Sequence, residues 1–185
     1  MFLHGTTQWP FHHMIDVGAN FCIWVLTVDG LRVAPFDLHP SGDESLQIRG
    51  LNADMWERWF TETVIGQHSP ANPSLALIGT PLLQQRLREL WSQYLPTAQS
   101  WRNSLMHKHH PFGLSLEESK LLWNDLLPFQ TKLSSLRIFY VDYPRVVAKT
   151  VPPVSVVLGL GDESRSSTDY RDQILRAARK LSRNP

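Results

Sequence analysis

Phe21-Cys22-Ile23-Trp24-Val25-Leu26-Thr27-Val28-Asp29-Gly30-Leu31-Arg32-Val33-Ala34-Pro35-Phe36 is the stretch on which the fold class turns. Residues 21–28 are apolar, β-branched or aromatic, and Asp29-Gly30 divides them from a second run of similar character. Asp-Gly tolerates the positive φ that a tight two-residue turn needs at both central positions, so the pattern predicts a β-hairpin. Pro35 cannot donate to a sheet ladder, which limits the second strand or confines it to an edge. After the turn His39-Pro40-Ser41-Gly42-Asp43, the run Ser45-Leu46-Gln47-Ile48-Arg49 alternates like a third strand. Residues 20–50 therefore read as an antiparallel meander. The preceding residues 1–18 are mixed and aromatic, and Trp9-Pro10-Phe11 suggests a covering strand or an anchored arm.

Beyond residue 52 the apolar period lengthens from two to nearly four. Asn52 or Asp54 can cap a helix carrying Met55, Trp56, Trp59, Phe60, Val64 and Ile65. Thr80-Pro81 opens another, with the stripe Leu83, Leu87, Leu90, Trp91 and Tyr94, and Pro96 is expected to end it. A short helix over residues 98–106 follows. Ser115-Leu116-Glu117-Glu118 is a capping box ahead of Leu121, Leu122, Trp123 and Leu126, with Pro128 as a stop. Strand character returns over residues 137–143, 146–150 and 154–158. The expected architecture is a single α+β domain over residues 1–161. Its mainly antiparallel sheet comes from strands in 20–50 and 136–160, packed against three or four helices in 53–135. Residues 162–185 form a linker and an amphipathic C-terminal helix. A hairpin domain followed by a helical domain is the alternative.

Composition excludes more than it identifies. In 185 residues, 42% hydrophobic and 19% charged content is that of an ordinary soluble globular protein, and a net charge of +1 gives no global attraction to nucleic acid or anionic lipid. Apolar runs fall short of the roughly 18 residues that a membrane helix requires. His4, Gln8, Pro10, His12, His13 and Asp16 interrupt the first twenty residues, so no secretory signal is expected. The single cysteine, Cys22, lies in an apolar run with no basic neighbour and is expected to be an inert buried thiol. A cytoplasmic setting follows from these readings. Gly-x-Ser-x-Gly, Walker, His-Glu-x-x-His and Cys-x-x-Cys motifs do not occur. Gly159-Leu160-Gly161 resembles the start of a phosphate loop, but Ser164 stands where a third glycine belongs, so a strand terminus is the reading kept.

Three features could carry function. His107-Lys108-His109-His110 and His12-His13 hold five of the eight histidines. On a helix His107 and His110 would share a face, and with His109 they could bind a divalent metal, completed by His12, His13 or Glu117. The plainer reading is a solvated helix end before Pro111, and adjacent histidines in a strand point to opposite faces. No cofactor is therefore expected, with a divalent metal as the exception. The C-terminal helix carries Arg171, Arg176, Arg179, Lys180 and Arg183 on its polar side and Tyr170, Ile174, Ala177, Ala178 and Leu181 on its apolar side. Arg171, Ile174, Arg176, Arg179, Lys180 and Leu181 are the candidate contact residues. Asp16, Asp37 and Asp54 are possible catalytic carboxylates, though Asp54 fits a helix start. Trp56, Trp59, Trp91 and Trp123 are expected core.

These features favour a non-catalytic cytoplasmic interaction or regulatory protein, binding another protein or itself. A metal-dependent enzyme of the hydrolase kind, built on His107–His110, is one alternative. A nucleic-acid accessory protein using the basic helix is the other, although no aromatic-basic signature accompanies it.

Overall fold

A computed structural model describes residues 11–37, 48, 50–66, 69–106, 114–161 and 167–183. Four strands, β1 (Phe11–Ile15), β2 (Leu136–Val141), β3 (Ala148–Val151) and β4 (Ser155–Gly159), form a sheet in the order β1-β2-β4-β3. The helices are α1 (Val17–Asp29), α2 (Ala53–Val64), the single turn α3 (Leu75–Ile78), α4 (Pro81–Met106), α5 (Leu116–Leu126) and α6 (Ser167–Leu181), with a 3₁₀ turn at Leu127–Phe129.

The α+β class holds, but the sheet is mixed rather than mainly antiparallel. β1 pairs with β2 and β2 with β4 in parallel, while β3 pairs antiparallel with β4 at the edge. Neighbouring parallel strands need a long crossover, and α1 to α5 all lie in the connection from β1 to β2.

The correction begins at residues 17–29, where the predicted hairpin is a helix. Asp16 caps it, its Oδ1 accepting the Ala19 N–H at 2.7 Å, and Gly30 ends it in the left-handed conformation at φ 72°. The Asp-Gly pair thus serves as a helix stop. Its period was hidden because α1 is apolar on nearly every side, and a helix of that kind is buried all round. β2 covers it on one side, and α2 and α4 on others. Asp29 accepts the Ile48 N–H at 2.5 Å instead of turning a hairpin. The strand expected over 45–49 falls mainly outside the described residues, as does much of the linker expected after 161.

Helix α4 also runs further than its sequence suggests, continuing through Pro96 to Met106. Pro96 removes one backbone hydrogen bond, yet Leu87, Leu90 and Tyr94 before it and Ala98 and Leu105 after it are all buried. That apolar stripe carries the helix across the defect. The Asn52 cap of α2 and the reciprocal Ser115–Glu118 box of α5 form as their sequences predict.

The two sheet faces have separate cores, following the period of two along each strand. Phe139, Val141 and Val157 face α1, with Trp56, Trp59 and Phe60 of α2 and Leu87 and Leu90 of α4 in the same cluster. Leu136, Ile138, Tyr140, Val156 and Leu158 point the other way, to α5 and α6. Ile174, Ala177, Ala178 and Leu181 make α6 one wall of that second core. Among the described residues, no helix is long and apolar enough to cross a membrane.

Candidate functional site

Of the two histidine groups, His107, His109 and His110 lie outside the described residues. His12 and His13 sit on β1, and the strand turns them to opposite sides. His12 is exposed. His13 enters the second core, where its Nδ1 shares a 2.6 Å hydrogen bond with the Tyr140 hydroxyl and its ring stacks on Tyr140 at 5.7 Å. The edge of Phe11 packs at 4.4 Å. Burial, helped by the His12 charge, lowers the His13 pKa to about 4, so the imidazole is neutral at pH 7. Among the described residues, no three histidine, cysteine or acidic side chains are grouped to hold a metal. Cys22 is fully buried, its Sγ donating to Thr63 Oγ1 at 3.7 Å, and burial drives its thiol pKa far up. It offers no thiolate nucleophile at neutral pH.

A second constellation forms because β1 and β2 are parallel neighbours and so end on one edge of the sheet. Asp16 follows β1 and Asp142 follows β2. Buried Asn20, from the first turns of α1, joins them. Its amide donates to the Asp16 carbonyl at 2.7 Å and the Tyr140 carbonyl at 3.2 Å, and its Oδ1 accepts the Asp142 N–H at 2.5 Å. Desolvation raises the Asp16 pKa, opposed by the Ala19 and Gly18 N–H groups. Desolvation also raises Asp142. Beside Asp16, Gly18 leaves no room for a side chain: a Cβ there would meet Thr63 Cγ2 at 2.9 Å and Asp16 Oδ1 at 3.1 Å. The carboxyl edge of parallel strands is where α/β sheets hold ligands.

Sequence reasoning named Asp16 but missed Asn20 and Asp142. An aspartate directly after an apolar strand run, as in Ile15-Asp16 and Val141-Asp142, was the available signal. It becomes informative only once the two strands are known to be adjacent. Asp37 instead faces Arg145 at 3.4 Å, and Asp54 stands in the first turn of α2.

Helix α6 divides its residues by role. Arg171 Nε meets Asp125 Oδ2 at 2.6 Å, with a second contact from Nη2, and so ties α6 to α5. Ile174 and Leu181 are 0% and 2% exposed, inside the chain's own core. Arg176, Arg179, Lys180 and Arg183 are exposed and form one basic patch on the last turns of α6 and the turn just after it, with a shallow open hollow between their side chains. Among the described residues, none of these four cations has a carboxylate within ion-pair distance. A second hollow, of about 270 Å³, lies between Arg145, Val146, Val147, Asp169 and Gln173. No protein-family model, curated protein or solved structure matches this chain.

Proposed function

We propose that this chain is a non-catalytic interaction protein of the cytoplasm, that its partner is another protein, and that its contact surface is the outer face of α6. The observation that carries the reading is the set Arg176, Arg179, Lys180 and Arg183, exposed, grouped in one patch and unpaired among the described residues. Cations near a helix C-terminus gain about 0.3–1 kcal/mol each from the helix dipole, but only within the last turn. Arg176 lies outside that turn. Within the helix, Arg176–Arg179 and Arg176–Lys180 bring like charges together, which opposes folding by about 0.2–0.5 kcal/mol per pair, while Asp172, four residues before Arg176, offsets a similar amount. These intrahelical effects are each about 1 kcal/mol or less, so helix stability by itself sets only a weak preference for a basic face. Single-stranded nucleic acid is the less favoured partner, because among the described residues no aromatic side chain lies in the basic patch to stack on a base.

The test is a photo-crosslinking residue at position 176, used in the native host. A discrete protein adduct, absent when Arg179→Glu and Lys180→Glu are added without loss of thermal stability, is expected. An adduct that persists in the doubly reversed protein, or no adduct at all, refutes the reading.

A further inference from the structure

Resting on the interaction reading, we propose that the basic outer face of α6 docks a helix of the partner protein bearing one carboxylate or more per turn. The exposed cations stand at 176, 179 and 180 on the last turns of α6 and at 183 in the turn that continues past Leu181, a strip about two helical turns, or about 10 Å, long. A helix laid alongside repeats its side chains at the same pitch of about 5.4 Å, so its carboxylates stay in register with the cations turn after turn. An extended peptide repeats the same face only every 6.4–6.8 Å or so and drifts out of register over this length. Charged rows of this kind fix partner choice and orientation where two helices lie side by side.

The same stripe of α6 is acidic at its other end, where Asp169 and Asp172 are exposed. A second copy of this chain, packed antiparallel, could therefore offer Asp169 and Asp172 to the cations. Two carboxylates against four cations leave half of the strip unmatched. A partner helix carrying acids at i, i+3, i+4 and i+7 matches all of it. The patch is cationic and, among the described residues, no aromatic side chain lies in it, which favours carboxylates over a single-stranded, base-stacking polymer.

Fluorescence anisotropy with the full chain tests this, using a labelled alanine-based peptide with glutamates at i, i+3, i+4 and i+7. A shuffled isomer, with the same glutamates spread round the helix, and a hexauridylate RNA serve as comparators. The expected result is salt-sensitive binding of the in-register peptide, at least about tenfold tighter than either comparator. Arg179→Glu with Lys180→Glu weakens it by at least about tenfold, as does Arg176→Gln with Arg183→Gln, and a lysine-bearing peptide binds the charge-reversed chain. Equal binding of the shuffled isomer, tighter binding of the RNA, a salt-sensitive dimer in sedimentation, or indifference to both double variants overturns the proposal. Competition against the position-176 crosslink separates the two ideas. An adduct that the peptide does not displace keeps the surface and removes the acidic helix, whereas no adduct removes both.

Discussion

Burial holds the His13 imidazole neutral, with its pKa lowered to about 4 from the ordinary 6.5. Unfolding returns it to water, so between those two values the unfolded chain binds the extra proton. Its contribution to stability is therefore complete above pH 6.5, declines as pH falls, and is gone below about 4. The difference corresponds to roughly 3 kcal/mol. Urea midpoints at pH 7.5 and pH 5 are expected to separate more in the wild type than in His13→Phe. An equal separation would mean that the proton enters the native state freely. Asn20 acts through hydrogen bonds alone. Asn20→Ala strips partners from the Asp142 N–H and the Asp16 and Tyr140 carbonyls, and a loss of about 2–3 kcal/mol in chemical unfolding is expected. Nothing in the local sequence Gly18-Ala19-Asn20 announces this role, because Tyr140 and Asp142 lie some 120 residues away.

Helix ends and defects make testable differences at the next scale. Gly30 holds the left-handed conformation that closes α1, so Gly30→Ala is expected to destabilise by about 1–2 kcal/mol. Pro96 is the converse case. It sits exposed within α4 and removes a donor from a helix that packs on both sides of it. Pro96→Ala restores that donor and is expected to raise the melting temperature by several degrees, a gain of about 1–3 kcal/mol. An unchanged or lower melting temperature would show that the proline's fixed φ outweighs the missing bond. Both variants report on boundaries that the sequence misplaced. Gly30 looked like half of a hairpin turn and Pro96 like a terminus, since each residue type serves either purpose and only its packing context distinguishes them.

Two cores on opposite faces of one thin sheet make the whole molecule depend on α6. Ile174→Ala removes a fully buried side chain from the second core and is expected to cost about 2–5 kcal/mol in equilibrium unfolding, while Arg176→Ala on the outer face should stay within about 0.5 kcal/mol of wild type. A helix that merely trailed from the domain would leave both variants neutral. The sequence by itself determined the amphipathic elements: α2 with its Asn52 cap, α5 with its capping box, α6 with its apolar stripe, and the strands after residue 136. The three helices each expose one side to water, so their period is written in their own residues. The strands after residue 136 are legible as short β-branched and aromatic runs bounded by turn residues, although the sheet is covered on both faces. Tertiary structure alone decided what residues 17–29 become, since a segment buried on every side carries no period to read. With that helix came the parallel pairing of β1 and β2, the meeting of Asp16 with Asn20 and Asp142, and the assignment of Arg171 to Asp125 rather than to the open basic face. These depend on contacts between residues far apart in the chain, and such contacts exist only once the crossover has closed.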